Sequence, residues 1–290
     1  MAKGHLFLSN PAEGATLRGG RWALGLDALK TRRLEADPAR NTEATDPAAS
    51  QILVDFGRRT KVSALAMHGT TLQRGAQIRV VAGEGASVAD DGAVSLDVVD
   101  FDSDWQDCFG RAHHTADLDW SDPNYWDGKP LDEDLDAYGR PVIVPLPTLE
   151  TKALVIRLDN AGDPDFDLGH LFAAAPLVPV WNYTFGREPG FNTRTLTDET
   201  PGGARIADRR PGRQTHRVSF PHLQDSEIRA LRDAHKRRDR TKPVLFVPDV
   251  ENGLDLIRDA FLAAIGSIST TQDKRNGEWT AEIELEEVLG

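Results

Sequence analysis

The residues with the clearest chemical potential lie between positions 97 and 147, where aspartates alternate with large aromatic rings. Asp100, Asp102, Asp104, Asp107, Asp117, Asp119, Asp122 and Asp127 interleave with Phe101, Trp105, Trp120, Tyr125, Trp126 and Tyr138. Flat indole and phenol faces beside carboxylates suit the CH face and hydroxyls of a pyranose, so Trp105, Trp120, Tyr125 and Trp126 are candidate glycan contacts. The same rings serve equally as packing beneath a loop or as a subunit contact, where aromatics are enriched. Alternate aspartates also offer oxygens to a structural Ca²⁺. The run Phe101-Asp102-Ser103-Asp104-Trp105 lacks the glycine and terminal glutamate of an EF-hand loop, so solvated or arginine-paired acids compete with the ion.

Catalytic templates fit poorly. A glycosidase needs two carboxylates flanking a cleft, and abundant acids make any sequence pair uninformative. His113 and His114 are adjacent, so in a strand they point to opposite faces. His68, His216, His222 and His235 have no ligand spacing, and no G-x-S-x-G, P-loop or G-x-G-x-x-G occurs. The single cysteine, Cys108, forbids an intrachain disulfide and reads as a buried small residue. The expectation is a non-enzyme with no catalytic, cofactor or metal residues.

The elements that would position these rings are mostly short strands. Gln51–Phe56, Val62–His68, Gln77–Val81 and Lys152–Leu158 are β-branched or alternating, separated by Gly, Asp and Pro, with Gly57–Thr60 read as a turn. In Val62–His68 the alternation places Val62, Ala64, Ala66 and His68 on one face. After the connector Ala173–Pro179, strand-like segments follow at Val180–Phe185, Thr215–Phe220, Val244–Val247 and Trp279–Leu285. Asp225–Arg238 is the clearest helix, with Asp225 as cap, Ile228, Leu231 and Ala234 on one face, and Lys236, Arg237 and Arg238 at its basic end.

Composition bounds the partners. The 290 residues carry 34 basic and 46 acidic side chains, a net charge of −12, which disfavours general nucleic-acid binding. The basic runs Arg205–Arg217 and Arg229–Arg240 suit a solvated helix face and a patch meeting acidic surfaces of a neighbouring subunit. No apolar run approaches bilayer length and no signal-peptide h-region follows Met1, so the expected product starts in the cytosol without membrane insertion.

Several motifs resemble known groups. Ile52-Leu53-Val54-Asp55-Phe56-Gly57 followed by Val62-Ser63-Ala64-Leu65-Ala66, and later Ala153–Leu158 with Phe166–Phe172, resemble the opening and return of a discoidin or galactose-binding-like domain. That likeness covers roughly residues 1–178 and implies a jelly-roll β-sandwich carrying the Trp/Asp insertion 97–147. The order of the chain is similar to tail-associated structural proteins of siphophages and prophages. Residues 179–290 are reminiscent of distal-tail and tail-tube domains, a small α+β unit pairing a β-sandwich with one flanking helix. The chain departs from secreted discoidin domains in lacking their disulfide, and their lectin positions do not align, so sugar binding is not inherited. The resemblance implies a mainly β, two-domain component of a tail tip or baseplate, assembled in the host cytoplasm and located in the virion tail. Its implied partners are a homo-oligomeric ring, tail tube, hub and fibre proteins, and a host-surface glycan. A stand-alone carbohydrate-binding module is the alternative.

Overall fold

The computed structural model describes residues 4–30, 37–179, 181, 188–199, 203, 205–208, 212–238, 242–249, 256–272 and 278–288. The protein is mainly β. Its strands are β1 (His5–Phe7), β2 (Thr16–Arg18), β3 (Ala39–Asn41), β4 (Gln51–His68), β5 (Gln77–Val88), β6 (Val94–Asp102), β7 (Gln106–Asp107), β8 (Val142–Asp159), β9 (Phe166–Leu168) and β10 (His170–Ala174). They continue with β11 (Glu188–Asn192), β12 (Leu196–Glu199), β13 (Arg205–Asp208), β14 (Arg213–Leu223), β15 (Val244–Val247), β16 (Phe261–Gln272) and β17 (Trp279–Glu287). The helices are α1 (Asp132–Ala137), α2 (Asp225–Arg238) and α3 (Leu256–Asp259). Two compact units result: Met1–Pro176 with Val247–Ala260, and Leu177–Phe246 with Phe261–Leu289.

The first unit is organised by β4 and β8, two 18-residue strands paired antiparallel. The sheet order is β10-β4-β8-β5-β6, with β2 alongside the start of β4 and β7 alongside the start of β5. Alternation sends Ile52, Val54, Ile78, Val80, Leu154 and Ile156 to one buried face. Leu53, Val81, Val94, Ala153 and Val155 form a smaller cluster on the other, as period-two geometry requires. The ladder β3–β9, two 3-10 turns and Phe109 and Leu135 from the acidic excursion complete the larger core.

Two local expectations are corrected. Gly57–Thr60 is no chain reversal: β4 continues through it as a bulge, with Gly57 at φ +67° and its N–H bonded to Asp55 Oδ1. Asp55 and Thr60 pair with β8 on either side of that irregularity, so the partner strand keeps the chain in one strand where local sequence alone suggests a turn. A second register shift between Val62 and Ala64 moves Val62 into the core with Leu65 and Met67, away from the face of Ala64, Ala66 and His68.

In the second unit β15, β16, β17, β14 and β11 are neighbours in an antiparallel sheet. On β17, Ala281, Ile283 and Leu285 are buried while Thr280, Glu282 and Glu284 face solvent. A bulge in β14 falls at Pro221 and His222. Pro221 has no N–H to give a ladder there, and His222 takes φ +56°. Helix α2 lies against β16 and β17, burying Ile228 and Leu231. Asp225 is not its cap. The Asp225 carboxylate accepts the Trp279 indole N–H at 2.6 Å, while Glu227 reaches back to the Gln224 N–H at 2.7 Å. Arg232 sits over the Trp279 ring at 4.8 Å. Arg238, expected in solvent, is buried and donates to the Pro243 carbonyl at 2.7 Å. Of Val180–Phe185, only Trp181 lies within the described residues.

Candidate functional site

The aromatic and acidic excursion of the first unit leaves β6 and β7 and returns to β8. Its anchors are apolar: Cys108, Phe109, Ala112 and Leu135 all enter the main core. Burial pushes the Cys108 thiol well above its ordinary range, aided by nearby Asp107, so it is no nucleophile at neutral pH.

Between these anchors the loop is knotted by hydrogen bonds. Gly128, at φ +61°, receives Ala112 and His113 N–H on its carbonyl at 2.8 and 3.1 Å. A Cβ there would stand 2.7 Å from the His113 carbonyl oxygen, so both backbone angle and space favour glycine. Buried Asn124 receives the Gly128 N–H on its carbonyl and donates its side-chain amide to the Lys129 carbonyl. Arg74 grips Asp127 with two bonds of 2.7 and 2.6 Å and the Pro130 carbonyl with a third.

Several other acids are also committed. Asp102 chelates Arg79, Asp107 pairs with Lys129 at 2.9 Å, and Asp122 caps a turn through the Asp119 N–H. Arg140 takes Asp132 and Asp136. The Arg79 guanidinium holds the Asp102 carboxyl below its usual range, chiefly through the side-chain hydrogen bond. The alternating Asp100, Asp102 and Asp104 therefore do not converge as ligands. Among the described residues, no group of three or more His, Cys, Asp or Glu is placed to hold a metal. His113 Nδ1 stands 3.3 Å from Arg258 and Nε2 3.9 Å from Asp134, while His114 is exposed.

This rigid frame leaves the rings outside. Trp120 is 83% exposed, Trp126 87% and Trp105 43%. Tyr125 and Trp126 meet edge to face, with centroids 5.1 Å apart and planes at 87°. Among the described residues, no ring contact joins Trp105 or Trp120 to that pair. The four candidates thus divide into one aromatic couple and two separate faces. A cavity of about 370 Å³ lies nearby, lined by Asp107, Cys108, Arg111, Pro141, Ile143 and Ile257 among others. Sequence reasoning did not find it, because Ile257 comes from α3, over a hundred residues downstream of Ile143. Its floor is apolar, and none of the four candidate rings lines it.

No family model matches the chain, and no curated protein matches it. Among solved structures, the Ruminococcus gnavus GH29 fucosidase in complex with fucose and a mutant of it in the same complex are similar, each with a TM-score of 0.34. Identity is 12% and 13%, and the aligned part covers 59% of this chain and 28% of the fucosidase chains. Likeness at this level assigns neither fold nor activity.

Proposed function

We propose that the protein is a structural, non-enzymatic subunit of a phage or phage-like tail tip or baseplate. It self-assembles into a ring, contacts tube, hub and fibre proteins, and presents the first unit outward with its aromatic loop toward host-surface glycans. The observation that carries this reading is where large apolar side chains meet solvent. They include Trp105, Trp120 and Trp126 of the acidic excursion, Val98 and Val99 on a sheet edge, and Phe191, Leu196 and Ile206 on β11 and the β12–β13 hairpin. Exposed apolar groups concentrated this way mark contact surfaces. Five carboxylates of the aromatic loop, Asp127, Asp102, Asp107, Asp132 and Asp136, are meanwhile held by Arg74, Arg79, Lys129 and Arg140. The order of the motifs, discoidin-like half before an α+β half, supports a tail in particular.

Sedimentation of the purified full chain across concentration tests the assembly. A multi-copy species of fixed size is expected, and a monomer at every concentration contradicts it. A stand-alone carbohydrate-binding module is the second reading, favoured by the exposure of Trp120 and Trp126 on a pinned loop. Stacking on an exposed indole would then provide most of the affinity. Trp120→Ala with Trp126→Ala should reduce glycan-array binding by about tenfold or more at unchanged fold, since 1.4 kcal/mol is a factor of ten. Equal binding by the double variant removes these rings from the site.

A further inference from the structure

A sheet edge in each unit is left unpaired by any strand among the described residues, and the two edges differ in charge. Strand β6 ends the large sheet of the first unit: β5 pairs one side of it, and among the described residues no strand pairs the other. A bulge opposite Ala82 and Gly83 leaves Asp100 as the extra residue, and Val98 and Val99 are 54% and 55% exposed. Asp97 and Asp100 are exposed and hold no ion pair among the described residues. Such an edge is a ready template for another strand.

In the second unit β11 ends its sheet beside β14, with all five residues exposed and Phe191 at 69%. The chain runs on into the hairpin β12–β13, whose eight residues are also all exposed, Leu196 at 56% and Ile206 at 60%. A two-stranded hairpin with no buried face is marginal by itself and gains from being covered. Arg194 and Arg205 have no ion-pair partner among the described residues. Between positions 187 and 217 there are seven arginines against four acids, whereas the first unit carries 32 acidic and 18 basic residues.

We propose that β6 of one copy pairs edge to edge with the β11 arm of a second copy, Asp97 and Asp100 facing Arg194 and Arg205. The occupant of each edge is thus this same chain, which deepens the assembly reading of the preceding subsection and rests on it. The contact is heterologous, joining different surfaces on the two copies, so each copy keeps a free acidic edge and a free basic arm. Repetition then builds a closed ring or an open filament.

Reciprocal charge reversal in the full chain tests the pairing. Asp97→Lys with Asp100→Lys, and separately Arg194→Glu with Arg205→Glu, each place like charges at every contact. Each variant should weaken self-association by at least about tenfold, as like-charge juxtaposition costs several kcal/mol. An equimolar mixture of the two should restore it, because every contact in an alternating assembly is again complementary. Light scattering and mass photometry read the copy number, and melting temperature checks the fold. Should either reversal unfold, Asp97→Asn with Asp100→Asn removes charge without adding any, and must still weaken association. Variants that assemble like the wild type overturn the edge contact and leave assembly through another surface standing. Disruption without rescue in the mixture overturns the complementarity. A wild type that stays monomeric overturns this pairing and the assembly reading together.

Discussion

His68 and His170 face each other as directly paired residues of the β4–β10 ladder, both buried. Burial, and secondarily the neighbouring His170, lower the His68 pKa to about 3, so the ring is neutral in the native state. Its Nε2 has no hydrogen-bond partner among the described residues. The unfolded chain takes up a proton near pH 6.5 that the folded chain refuses, so this stability is whole above that pH and is lost as pH falls toward 3. Denaturant titrations should therefore lose about 1.4 kcal/mol per pH unit below about 6.5 from this residue alone. His68→Leu should flatten that part of the acid limb; an unchanged slope would remove His68 as its source. None of this was visible in the sequence, where His68 is one scattered histidine and its opposite number lies a hundred residues away. The aromatic loop was more legible at this scale. Its acids and rings are dense enough to predict an ordered excursion, but which acid meets which arginine depends on pairings such as Arg74 with Asp127 that no spacing reveals. Removing that grip by Arg74→Ala should cost about 1 kcal/mol, read by thermal melting, as the bidentate pair is only partly exposed. Accelerated hydrogen exchange at residues 124–129 should accompany it.

Among the elements, α2 is bounded as its sequence predicts, over Asp225–Arg238, because periodicity, acidic start and basic end are local signals. Its cap was misassigned because the competing donor, the Trp279 indole, belongs to a strand more than fifty residues away. Strand β16 carries no comparable signal in the sequence. Its Ala263-Ala264-Ile265-Gly266 run has little β-branched character, and a bulge between Ile265 and Ser267 breaks the alternation. It is a strand because β15 and β17 pair it on both sides, a case of tertiary context overriding weak propensity. The helix is held to this sheet mainly by Ile228 and Leu231, at 2% and 1% exposure. Leu231→Ala should cost about 2–5 kcal/mol in unfolding free energy, the range for emptying a buried leucine site. A loss under about 0.5 kcal/mol, the level of a neutral surface change, would mean the helix is not docked as described.

For the whole molecule, the mainly β class followed from alternation and turn chemistry, which are written in strands such as β5, β8 and β17 though not in β16. The division into units is subtler. Val247–Ala260 leaves the second unit's chain to join the first, placing Ile257 in its core, and a linear reading of composition has no means to detect such a return. The charge distribution is readable from sequence only once that division is known: the acid excess belongs to the first unit, while the second has 16 basic and 14 acidic residues. Surfaces of opposite sign on one chain favour association between copies and set its register. The most direct measurement is to fractionate particles from cells that encode this chain and label it with antibody for electron microscopy. The account predicts co-sedimentation with intact tails and label confined to one tail end, in several copies per particle. Recovery solely as free protein, with unlabelled tails, would contradict it.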